Sequence, residues 1–150
     1  MKKIFTILFI ISIGLNSQAQ TAEDSVKMTI THFFEGMKKA DTTLIKSTMM
    51  ESIIFQTISK NKEGETMVKT ENVTAFLTSI ATPKKEVADE RITFETIKID
   101  GNLASVWTPY KFYMGEKFSH CGANSFQLVR HKGTWRIQYI IDTRRKQGCE

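Results

Sequence analysis

Seven polar side chains in the last third of the chain could do chemistry: Tyr110, His120, Cys121, Asn124, Asp142, Arg144 and Arg145. They interrupt an apolar alternation that runs from Trp107 to Cys149. His120 belongs to the residue type that titrates nearest neutrality, with an ordinary pKa of about 6.5, and is the natural candidate for a general acid or base. Asp142 could orient or assist it, or form an ion pair with Arg144 or Arg145 at a strand end. Arg144 could grip a carboxylate or phosphate with two parallel donors. Tyr110 and Tyr139 offer hydroxyls to a ligand carbonyl, Asn124 a further polar anchor, and Trp107 and Phe112 faces on which a planar ring can stack. The structural alternative is a histidine hydrogen-bonded in the sheet and aromatic rings serving only as core.

Sharper chemical signatures are missing. The sequence has no glycine-rich phosphate loop, no H-E-x-x-H and no G-x-S-x-G. Cys121 and Cys149 have neither C-x-x-C nor zinc spacing, so neither a metal nor a cofactor is expected. In an oxidising compartment the two could pair and close a loop of about 28 residues; the alternative is a buried free thiol at Cys121.

That compartment is itself expected from the amino terminus. Lys2 and Lys3 precede an apolar run from Ile4 to Leu15, and Ser17-Gln18-Ala19 supplies the small-x-small pattern of a signal-peptidase site. The run is short for a membrane span of about 20 residues. Residues 1–19 therefore read as a signal peptide and 20–150 as one domain, periplasmic or secreted and free of the membrane after cleavage. Removing Lys2 and Lys3 lowers the formal charge from +5 to +3, too weak a bias to indicate nucleic acid.

The polar set needs elements to position it. Thr21 with Asp24 marks a helix start, and Val26, Ile30, Phe33, Phe34 and Met37 recur at helical spacing to about Ala40. Asp41 can cap a short second helix through Leu44 and Ile45. Ile53 to Ile58 reads as a strand, Asn61 to Gly64 as a hairpin loop, and Thr66 to Lys69 as the return strand. Val73, Phe76, Leu77 and Ile80 form a third helix that Pro83 stops, and Pro83 to Ala88 is a charged connector.

Four strands follow: Ile92 to Ile99, Leu103 to Met114, Phe118 to Arg130 and Trp135 to Thr143. Two-residue turns at Gly115-Glu116 and Lys132-Gly133 would set Tyr110 opposite Cys121, Trp107 opposite Asn124, Asn124 opposite Ile141 and Cys121 opposite Arg144. Trp107, His120, Asn124, Phe126 and Tyr139 then share one face, and Tyr110, Phe112, Cys121, Asp142 and Arg144 the other. Both faces are partly apolar, so one is expected under the helices and the other against a second subunit, as a homodimer. A single bulge would exchange the faces beyond it.

Certain stretches carry a family likeness. Phe34-x-Gly36-Met37-x-x-Ala40-Asp41, Gly101-x-x-Ala104-x-Val106 and Gly133-x-Trp135-x-Ile137 resemble signatures of the nuclear-transport-factor-2-like superfamily. Phe118-Ser119-His120-Cys121-Gly122 with Asp142-Thr143-Arg144-Arg145 is similar to its exported lumazine-binding or polyketide-cyclase-like subgroup. The resemblance implies an α+β cone, in the order α-α-β-β-α-β-β-β-β, with a strongly curved, mostly antiparallel sheet around the first helix. It also implies a pocket at the open end for a small molecule. Its enzymes are isomerases, dehydratases and cyclases with acids inside the cone, and many members have no known catalysis. A binder without evident catalysis is the first expectation, an acid/base enzyme using His120 with Asp142 the second, and a homodimeric interaction module the third.

Overall fold

The chain begins as its capping residues dictate. In the computed structural model, which describes residues 21–83 and 85–149, the Thr21 hydroxyl oxygen accepts the Asp24 N–H at 3.0 Å and starts helix α1, Ala22–Lys39. The expected signal peptide lies outside the described residues. Ala40 takes a left-handed conformation that ends α1, and Asp41 accepts the Leu44 N–H at 2.8 Å to start α2, Thr42–Ser47. Gly36 lets the two helices meet, because a Cβ there would lie 2.7 Å from the Ile45 side chain. Asn72 likewise accepts the Ala75 N–H, at 2.8 Å, and caps α3, Val73–Ala81.

Seven strands form one curved, mixed sheet, giving the α+β architecture. They are β1 (Met49–Lys60), β2 (Thr66–Glu71), β3 (Ala88–Ile92), β4 (Thr96–Asp100), β5 (Leu103–Met114), β6 (Lys117–His131) and β7 (Thr134–Thr143). Their order is β2-β1-β7-β6-β5-β3, with β4 also on β5; only β1 and β7 pair in parallel. Val26, Ile30 and Phe33 of α1 pack with Ile45 of α2 on Phe126, Leu128, Ile137 and Ile140 of the sheet. Burying each such side chain stabilises the fold by roughly 1.5–3 kcal/mol.

Two expectations need correction. The single strand expected from Ile92 to Ile99 is two strands, β3 and β4. Pro109 of β5 accepts the Thr93 N–H at 2.9 Å but has no N–H to return. Just beyond, Glu95 donates to the Trp107 carbonyl while Thr96 is the ladder partner of Trp107, so two residues face one. The expected register is also wrong by one residue. Tyr110 faces Gly122, Trp107 faces Ser125, Asn124 faces Asp142, and Cys121 bridges to Arg145. Bulges that skip Ser119 in β6 and Gln138 in β7 cause both slips. They move Trp107 and Tyr139 to the opposite face from Asn124, and bring Tyr110 and Asp142 onto the Asn124 face.

Cys121 and Cys149 are joined by a disulfide across 28 residues, which ties the segment after β7 back to β6. A loop of that length stabilises the fold by roughly 3 kcal/mol on the chain-entropy account.

Candidate functional site

The corrected register builds two rows across the inner face of the sheet. Phe55, Ile140, Phe126 and Val106 are ladder neighbours on β1, β7, β6 and β5, and all are buried. Two residues along each strand lies a second row, Thr57, Asp142, Asn124 and Thr108, also buried but polar. Strand alternation puts both rows on one side, so an apolar floor runs directly into a polar one. Above them lie Phe33, Phe34 and Met37 of α1 and Phe76 of α3, and between is a cavity of about 390 Å³.

The polar end is a connected set. Arg144, at the rim with its side chain 53% exposed, donates from Nε to Asp142 Oδ2 at 2.8 Å and from a terminal nitrogen to Thr57 Oγ1 at 3.1 Å. The Tyr110 hydroxyl reaches Asp142 Oδ2 at 3.2 Å and donates to the Thr143 carbonyl at 2.9 Å. Asn124 Nδ2 donates to Glu90 Oε1 at 2.8 Å. Gly122 makes this crowding possible, since a Cβ there would lie 1.8 Å from the Thr143 carbonyl oxygen and 2.7 Å from the Tyr110 ring.

Electrostatics single out Glu90. Burial of its carboxyl raises its pKa from 4.5 to about 7, and the Asp142 charge adds to the rise; the Asn124 bond and the Arg144 charge oppose it. Burial, followed by the Asp142 and Glu90 charges, raises the Tyr110 pKa, so that hydroxyl remains a donor at neutral pH. Among the described residues no group of three or more His, Cys, Asp or Glu is placed to hold a metal ion.

The residues singled out from sequence divide into those at the cavity and those away from it. Asn124, Asp142 and Arg144 line it, and Tyr110 supports it through Asp142. His120 does not line it. Its ring stacks on Phe112 at 4.9 Å, meets Tyr110 edge-on at 5.8 Å, and has the Ser119 hydroxyl 3.0 Å from Nδ1. Burial, then the Arg144 charge, lowers its pKa. Tyr110 touches both His120 and Asp142; no hydrogen bond joins those two among the described residues, and the Asp142 charge reaches His120 across the Tyr110 ring, opposing the fall in its pKa. Trp107 is 43% exposed on the outer face, and Tyr139 donates to Gln56 Oε1 on that face at 2.6 Å, so neither faces the cavity. Phe33 and Phe34 of the first helix line the cavity, as a pocket between that helix and the sheet implies, whereas Glu90 and Thr57 are lining residues that the sequence reading does not single out. Glu90 shares strand parity with Ile92, a signal that extending that strand backwards would have exposed.

A curved α+β sheet wrapped on helices, hollow at one end and polar on one side of the hollow, defines the class of nuclear-transport-factor-2-like proteins. Within it, the chain belongs to the family described as "Putative lumazine-binding", whose model matches residues 21–139. Solved structures agree at the level of fold. An NTF2-like protein from Shewanella baltica is 15% identical with a TM-score of 0.62, covering 83% of this chain and 94% of that one. A domain with a cystatin-like fold from Nostoc punctiforme is 13% identical with a TM-score of 0.64, covering 84% and 78%. A "putative dehydratase" of the NTF2-like family from Streptomyces avermitilis is 12% identical with a TM-score of 0.63, covering 81% and 94%. No curated protein matches the sequence.

Proposed function

We propose that the protein is an exported carrier or receptor of a small planar molecule, held in the cavity between α1, α3 and the inner face of the sheet. The observation that carries this reading is the joint lining, phenylalanines on one side and Glu90, Asn124 and Arg144 on the other. An apolar hollow with a few convergent polar groups is the usual form of a small-molecule site, and about 390 Å³ is within the usual size. Arg144 supplies donors to a ligand carbonyl, and the Glu90 carboxylate an acceptor for a ligand N–H. A pteridinedione such as lumazine, the compound in the family's description, carries both groups on one flat edge. Export is supported by the leader-like amino terminus and by the Cys121–Cys149 bridge.

Titration of lumazine into the purified protein, followed by its fluorescence, tests this. Saturable binding is expected, weakened about tenfold by Arg144→Ala, the lower end for losing a hydrogen bond to a charged group. Trp107→Phe should bind unchanged. Equal binding by Arg144→Ala and wild type would remove the cavity from consideration, as would failure of both lumazine and co-purifying ligands to bind.

The acid/base reading, with His120 and Asp142 or with the cavity-lining Glu90 as the proton-transfer group, is tested by product formation: loss in Glu90→Gln but not in His120→Phe would assign Glu90, and the converse His120. For the dimer, the outer face offers Ile54, Leu103 and Trp107, each more than a third exposed, among the neutral Gln56, Ser105, Ser125 and Gln127. Lys98 and Asp100, the ladder partners of Ser105 and Leu103, and Arg136, the partner of Val129, bound this patch, and its uncharged centre fits a second copy of itself. Trp107→Asp is expected to turn a dimer into a monomer in sedimentation; a wild-type monomer at 100 µM, a concentration of roughly 10⁻⁴ M that spans weak association, would end this reading.

A further inference from the structure

The outer face carries a second hollow, of about 350 Å³, at the end of the sheet where the disulfide lies. Its row of ladder partners is Arg91 on β3, Lys111 on β5, Cys121 on β6 and Arg145 just beyond β7. Strand alternation turns this row away from the interior, because Arg91 follows the cavity-lining Glu90. Arg91 and Lys111 are directly opposite each other, an arrangement that like charges disfavour. Arg91 has some relief from Asp89 at 2.9 Å and from the Tyr113 ring, 4.1 Å below its guanidinium. Lys111 and Arg145 form no ion pair among the described residues; the Arg145 side chain donates from Nε to the Gly148 carbonyl at 3.2 Å. One wall of the hollow is the segment from Arg145 to Cys149, which the bond to Cys121 holds against the sheet.

We infer that this hollow is a binding site for a small multivalent oxyanion, a di- or tricarboxylate or a phosphate ester, read by Lys111, Arg145 and Arg91. Three cations converge on a concave surface and two have no acidic partner among the described residues, a setting that suits a compact anion with two or more charges. A monovalent halide would engage one cation at a time. The disulfide makes the site conditional on oxidation, because Arg145 is placed by the tethered segment. The site is independent of the interior cavity and of the ligand proposed for it.

The test uses the full mature protein with citrate and pyrophosphate as probes and amide NMR as the readout. Saturable shifts at Lys111 and Arg145 are expected with one or both probes in 100 mM NaCl, where the Debye length is about 10 Å and diffuse attraction is screened. Citrate alone would assign carboxylates, pyrophosphate alone phosphates. Lys111→Gln and Arg145→Gln, both at exposed positions, should each weaken binding at least tenfold while thermal unfolding is unchanged. Reduction and alkylation of the cysteines should weaken binding as much, and should also lower the unfolding temperature through loss of the cross-link. Absence of saturable shifts, shifts centred on Asn124 instead, or equal affinity in Lys111→Gln would overturn the assignment.

Discussion

At pH 8, Glu90→Gln should unfold at a higher temperature than the wild type; at pH 5 the two should nearly coincide. Folding raises the Glu90 pKa from 4.5 to about 7, so between those values the folded state holds a proton that the unfolded chain has released. The stabilising contribution of this group is therefore full below about pH 4.5, declines as pH rises, and is gone above about pH 7. The span corresponds to roughly 3–3.5 kcal/mol at most, at 1.36 kcal/mol per unit. Glutamine keeps an oxygen to accept from Asn124 but has no charge to bury. The gain at pH 8 is then on the order of 10 °C for a domain of this size. Parallel melting curves for wild type and variant from pH 5 to 8 would show that Glu90 is not the buried ionising group. A gain in stability joined to a loss of lumazine affinity would identify the charge as one kept for binding.

The second large effect is expected at a position with no side chain. Gly122→Ala places a methyl group 1.8 Å from the Thr143 carbonyl oxygen and 2.7 Å from the Tyr110 ring. The first neighbour is backbone, so no side-chain rotation relieves it. Either β7 moves away from β6 near its end, or Tyr110 gives up its bonds to Thr143 and Asp142. Overpacking of this severity costs about 3 kcal/mol. The midpoint in urea should fall with the slope unchanged, and at pH 5, where Glu90→Gln is nearly neutral, that second change should not restore it. A variant as stable as wild type would mean that the strands separate here at little cost.

How far the fold could be read in advance depended on where the information is local. Thr21, Asp41 and the phenylalanine spacing of α1 act within a few residues, and α1 and α2 start where those residues imply. The superfamily likeness is of the same kind, carried by turn glycines and short apolar patterns. Register is not local. One extra residue at Ser119 and another at Gln138 decide which face each side chain meets, and neither residue type announces a bulge. That is why Trp107 and Tyr139 were grouped with Asn124 while Thr57 and Glu90 were missed. Asp142 and Arg144 were legible because a charged pair closing an apolar strand is conspicuous. Glu90 lay hidden in a charged stretch, Asp89-Glu90-Arg91, where nothing in the sequence shows which carboxylate turns inward.

β7 follows the other six described strands in sequence, yet it lies between β1 and β6, and among the described residues no other strand joins the β2–β1 pair to the rest of the sheet. Until it arrives, the amino-terminal hairpin and the β3-to-β6 portion have no ladder between them, and the inner hollow has no continuous floor. Closure is then a zipper fastened by the strand that comes last of the seven. Such long-range joining is slow and leaves two strand edges open to wrong partners in the meantime.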